Sequence, residues 1–80
     1  GQAMQNMILT IVGVPVFVSE LPSGDLKVWH PFNKQVRSLV EPMCRGRGRW
    51  HPGYTNWVIF SKFKYEIVAD LRALAEVERG

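Results

Sequence analysis

Glycine and proline cut this chain into short pieces, which leaves little choice beyond a small mixed domain. The breaks fall at Gly13 and Pro15, at the cluster Pro22-Ser23-Gly24-Asp25, at Pro31 and Pro42, along the run Arg45-Gly46-Arg47-Gly48-Arg49, and at Pro52-Gly53. Proline has no N–H to give to a ladder or helix, and glycine admits the turn conformations that other residues avoid. With 80 residues in all, the chain makes one domain around one small core and has little room for a buried catalytic cleft.

Between the breaks the apolar residues keep a clear period. Met7 to Val18 is rich in Ile and Val and predicts strand, in one or two pieces, with Gly13 at a bulge or bend and Pro15 at an edge or a break. The turn cluster leads into a second strand, Leu26 to His30, as a hairpin that Pro31 ends. Asn33 is placed to cap a helix whose Val36, Leu39, Val40 and Met43 share one face, and Pro42 is expected to shorten it. Arg49 to His51 and Asn56 to Phe60 predict a second hairpin around Pro52-Gly53. Ser61 then caps a last helix with Phe63, Ile67, Val68, Leu71 and Leu74 on its buried stripe. The expected fold is α+β in the order β-β-α-β-β-α, a small, mainly antiparallel sheet with both helices packed on one face and the other face free. Residues 7–76 form the single domain, residues 1–6 read as a tag remnant and disordered start, and residues 77–80 as a tail.

Four Phe, three Trp and two Tyr in a chain that is 46% hydrophobic mark a folded module, not a disordered tail. The lone Cys44 cannot form an internal disulfide, so the cytoplasm is the expected compartment. Met7 to Val18 is too short and too interrupted to span a bilayer, and no membrane association is expected. His30, Cys44 and His51 lack the spacing of a zinc site. Neither a nucleophile–base–orienter set nor a phosphate-cradling glycine loop can be drawn. The expectation is a protein that is not an enzyme and holds neither metal nor cofactor.

Charge is what points to a partner. From Lys27 to Tyr65 the chain carries Lys27, Lys34, Arg37, Arg45, Arg47, Arg49, Lys62 and Lys64 against Glu41 alone, whereas acids prevail outside it. Such a block suits an anionic partner. In an extended segment, alternate arginines project to one side and can follow a row of phosphates, so Arg45, Arg47 and Arg49 are candidate contacts, the latter two before Arg45. Trp50 and the turn residue Tyr54 offer stacking surfaces beside them, while Trp29 and Trp57 are read as stacking or core. Lys62 and Lys64, and Lys34 with Arg37, stand at helix starts where positive charge opposes the macrodipole, an arrangement that a bound phosphate would relieve.

From Trp29 onward the chain resembles the HARP domain that precedes the motor of annealing helicases. The resemblance is carried by the helix with Val36 and Leu39 to Met43, the step Gly48-Arg49-Trp50, the turn His51-Pro52, the strand Trp57-Val58-Ile59-Phe60 and the helix beginning near Tyr65. A similar glycine, basic residue, tryptophan, turn and tryptophan order occurs in short modules of plasmid and phage proteins. The resemblance implies a non-enzymatic accessory module for single-stranded or branched DNA, attached to a catalytic domain in a longer parent protein, with contacts at Arg47, Arg49, Trp50, Lys62 and Lys64. The alternative is a protein-interaction or homodimerisation domain from a mobile element, built on the free sheet face or the first strand.

Overall fold

The computed structural model describes residues 4–79. Met7–Ile11 (β1), Val14–Glu20 (β2) and Leu26–Trp29 (β3) form a meander, followed by the helix Lys34–Cys44 (α1), the hairpin Gly48–His51 (β4) and Asn56–Ile59 (β5), a 3₁₀ turn Ser61–Phe63, and the helix Lys64–Arg79 (α2). The five strands make one antiparallel sheet in the order β1-β2-β3-β5-β4. The α+β class is as expected, and the Met7–Val18 region resolves into two strands, so the order is β-β-β-α-β-β-α.

Val12 and Gly13 make the tight turn between β1 and β2. Both have positive φ, 44° and 75°, the pair of left-handed conformations that a two-residue hairpin needs to match strand twist. Of the bulge or bend expected at Gly13, the structure has the bend, as a hairpin turn. Pro15 lies in an interior strand without harm: it faces Thr10 of β1, while pairing of β2 with β3 begins only at Phe17 opposite Trp29. Its missing N–H therefore falls where no ladder bond is made.

Alternation along the strands sends Ile11, Val16, Val18, Leu26, Val28 and Ile59 to one side, where Val36, Val40 and Cys44 of α1 and Ile67 and Leu71 of α2 meet them; all eleven are essentially fully buried. Both helices cover this face. Asn33 caps α1 as expected, its Oδ1 accepting the Val36 N–H at 3.0 Å. Pro42, expected to shorten α1, sits inside it, and the helix runs on to Cys44. Ser61, expected as a cap, makes no side-chain cap; its own N–H donates to Asp25 Oδ1 at 3.0 Å, so the turn between β2 and β3 holds the start of the last helix. Residues 1–3 lie outside the described part. Met4 packs against the core and donates its N–H to Glu20 at 2.8 Å, and α2 continues through residues 77–79, which were read as tail.

Gly48 faces Ile59 across β4 and β5, with no room for a side chain between them. A Cβ there would lie 2.3 Å from the Val58 carbonyl oxygen and 2.8 Å from the Ile59 Cα, both backbone atoms. Gly48→Ala is expected to destabilise the fold by about 1–3 kcal/mol, as overpacking does. The urea midpoint would read this as a clear drop, and an unchanged midpoint would contradict the close packing.

Candidate functional site

The arginine run does not form one row. Gly46 takes φ +84° and Arg47 N–H bonds back to Cys44 O at 3.0 Å, so the segment is a tight turn instead of an extended strand. A turn breaks the two-residue alternation, and the three side chains part. Arg45 reaches back along α1 to pair with Glu41, which also accepts Arg37 Nε at 3.0 Å. Arg47 is drawn inward: Nε donates to Met43 O at 2.8 Å and a terminal nitrogen to Asp70 at 3.0 Å, with Glu66 3.8 Å away. Only 24% of its side chain is exposed, so it ties the end of α1 to α2 and offers little to a partner. Arg49, in β4 opposite Val58, alone turns to the helix-free side of the sheet.

The lysines divide in the same way. Lys64 is held by Glu20 and by the Gly24 carbonyl at 3.3 Å, and both ends of the ion pair are largely covered. It is a structural link between α2 and the meander, not an open anion site. Lys62 is exposed, with its ammonium 5.0 Å from the Phe63 ring centre, and Lys34 is exposed at the first residue of α1. Tyr54 is exposed on the hairpin turn and lies against His51, ring centres 4.9 Å apart.

Two surfaces remain for a ligand. One is the helix-free face of the sheet. Alternation places Ile8 and Thr10 of β1, Pro15, Phe17 and Ser19 of β2, Lys27 and Trp29 of β3, Asn56 and Val58 of β5, and Arg49 and His51 of β4 on it. No acidic residue is among them. The register orders them in two lines that cross the strands. Ser19, Lys27, Val58 and Arg49 are neighbours in one. Ile8, Phe17 and Trp29 lead the other, which continues through Asn56 to His51. Phe17 and Trp29 pack with ring centres 5.4 Å apart, and the Trp29 indole N–H reaches Thr55 Oγ1 at 3.4 Å. Lys27 and Arg49 make no ion pair with any described residue. Two residues along a strand separate the lines by about 7 Å.

The second surface is a groove of about 460 Å³ between α1 and the β4–β5 hairpin, where Trp50, Trp57 and Phe32 meet Arg37, Glu41 and Arg45. Trp50 stands edge-on to Trp57 at 5.6 Å and is about half exposed. Of the residues expected to bind, the structure gathers Arg37, Arg45 and Trp50 here, leaves Arg49 on the opposite face, and sets Arg47 and Lys64 into internal ion pairs. Of the residues on the helix-free face, Trp29 is read from sequence as stacking or core and Lys27 only as part of the basic block, while Phe17 is not singled out; its signal is its place on the polar phase of the strand alternation, where an aromatic ring is out of keeping.

Cys44 is fully buried, and burial pushes its thiol up to about 12, with Arg47 pulling weakly the other way. It packs as part of the core. His30 lines the groove and His51 stands on the hairpin. Among the described residues no three His, Cys, Asp or Glu side chains come together to hold a metal, and no helix is long and apolar enough to cross a membrane.

The hydrogen bond from Lys64, helped by the Met4 N–H, holds the Glu20 carboxyl below its ordinary 4.5, and the same bond holds the Lys64 ammonium above its ordinary 10.5. Glu20's contribution to stability is therefore complete above 4.5 and lost as pH falls through its folded value. That of Lys64 is complete below 10.5 and lost as pH rises through its folded value. Glu20→Gln should lower the urea midpoint at neutral pH and flatten its decline on acidification below 4.5. A variant with the wild-type acid slope would show that the pair does not act in the folded state.

No protein-family model matches the chain, and no curated protein or solved structure shows significant similarity to it, so the resemblance to the HARP domain rests on its motif residues alone.

Proposed function

We propose that this domain is a non-enzymatic accessory module that binds single-stranded nucleic acid across the helix-free face of its sheet. The observation that carries the reading is an acid-free face on which an aromatic pair, Phe17 and Trp29, lies beside two unpaired cations, Lys27 and Arg49. Bases stack on exposed rings, at roughly 1–3 kcal/mol per base, and phosphates follow the cations. A strand crossing the sheet would lay its bases along the Phe17–Trp29 line and its backbone along the Lys27–Arg49 line. Double-stranded helices present their bases stacked and unavailable, which favours single-stranded or forked substrates. The HARP resemblance favours DNA over RNA and an attached catalytic domain, and the single free thiol is in keeping with a cytoplasmic setting.

A second reading is homodimerisation through β1. It is an edge strand with an uncharged sequence, and its Ile8 is 62% exposed. Natural edges are usually blunted by charge, proline or a bulge, and β1 carries none of these.

Titration of labelled single-stranded, duplex and forked DNA at several salt concentrations tests the first reading. Binding to single-stranded and forked DNA is expected, with a log–log salt slope of about −1.4 for two phosphate contacts. Lys27→Gln with Arg49→Gln should remove most of that slope. Phe17→Ala should weaken binding by about tenfold, for about 1.4 kcal/mol of lost stacking. Absence of salt-sensitive binding to all three would overturn the reading. Light scattering across a concentration series tests the second, and a monomer at the highest concentration rules it out.

A further inference from the structure

The groove between α1 and the β4–β5 hairpin lies on the helix side of the sheet, so the strand-binding face does not use it. Its apolar part is open in a way that the fold does not require: Phe32 is 78% exposed and Trp50 47% exposed, although the core closes without them. Its polar part is a short ladder on α1. Glu41 spends one carboxylate oxygen on Arg37 and the other on Arg45, leaving the groove with one excess positive charge and both guanidinium groups with unused N–H donors. At its far side, His30 Nδ1 lies 2.8 Å from the Pro31 carbonyl oxygen. A carbonyl only accepts, so Nδ1 is the donor of this bond, and in the neutral form of the ring Nε2 is left as an acceptor.

These features select a ligand class. Aromatic walls alone would also attract organic cations, but two arginines repel them. A simple inorganic anion would use the arginines and leave three rings idle. What satisfies both parts is a planar ring with hydrogen-bond donors at its edge, joined to a phosphate. A volume of about 460 Å³ is at the scale of small-molecule sites and too confined for a duplex. We propose that the groove binds one nucleoside monophosphate unit, its base against Trp50 and Phe32 and its phosphate on Arg45 and Arg37, either as the free nucleotide or as the phosphorylated end of a strand. This site is independent of the sheet-face reading and survives its failure.

In a ¹H–¹⁵N spectrum the Trp50 and Trp57 indole N–H resonances report the groove and the backbone amides of Phe17 and Lys27 report the sheet face, whereas the Trp29 indole N–H, bonded to Thr55 at the groove wall, belongs to both. The protein is titrated with AMP, adenosine, inorganic phosphate, and a short single-stranded oligonucleotide with and without a 5′-phosphate. Millimolar or tighter AMP should shift Trp50 and Trp57 and leave the Phe17 and Lys27 amides in place, with adenosine and phosphate each weaker by roughly tenfold or more. If only the phosphorylated oligonucleotide shifts the pair, the strand end is the source; if AMP does so as well, the free nucleotide is sufficient. Arg45→Gln and Phe32→Ala, both at exposed positions outside the core, should each weaken the response by several-fold and keep the folded spectrum. The proposal is overturned if Trp50 and Trp57 stay unmoved by every probe, or if adenosine binds as tightly as AMP. A shift of the Phe17 and Lys27 amides with Trp50 and Trp57 unmoved would overturn it while leaving the sheet-face reading intact.

Discussion

One layer of branched aliphatic side chains between the sheet and its two helices sets the terms for everything else in this domain. Ile11, Val16, Val18, Leu26, Val28 and Ile59 on the strands close against Val36, Val40, Ile67 and Leu71 on the helices. A chain of 80 residues has enough apolar mass for that layer and not for a second. The opposite face of the sheet builds no second core: Asn56 is buried there, while Phe17 and Arg49 stand exposed and Trp29 and Lys27 half-covered. Two aromatic rings thus stand on a face that builds no core.

Charge is sorted by the same division. Among the described acids, Glu20 pairs with Lys64, Asp25 accepts the Ser61 N–H, Glu41 takes both Arg37 and Arg45, and Asp70 takes Arg47, with Glu66 3.8 Å from the same guanidinium. These contacts bind segments distant in the chain, with Arg47 joining α1 to α2 and Lys64 joining α2 to the meander. Exposed ion pairs of this kind contribute little individually, but the half-buried ones fix where the helices lie. The cations left over on the far side, Lys27 and Arg49, have no acid on their face.

Most of the architecture was legible from period and punctuation. The α1 stripe, the Asn33 cap, the second hairpin and the α2 stripe all follow from spacing that local geometry enforces. The β1–β2 turn was hidden because Val12 is a β-branched residue in a left-handed conformation, which the sequence gives no reason to expect. Asp25 capping Ser61 was hidden because it joins residues far apart in the chain. In the candidate site, the arginine run was read with the alternation of a strand, whereas Gly46 makes it a turn. Charge density alone could not tell Arg47 and Lys64, which are consumed by the fold, from Arg49, which is not. Trp29 and Phe17 gain their meaning only from the register that sets them side by side.

The strand order has a consequence for how such a chain reaches its structure. Pairings β1–β2, β2–β3 and β4–β5 all join neighbours in sequence, and only the three residue pairs of β3 with β5 cross the length of α1 and β4. Local hairpins close quickly, while that seam must wait for a long loop to be drawn in. Neither the meander nor the C-terminal half can cover its own apolar surface before the seam forms, because the helices that shield β2 and β3 come from the other half. The β3–β5 junction is thus the step at which two incomplete halves become one cooperative unit, and the narrow ladder there carries the commitment to fold.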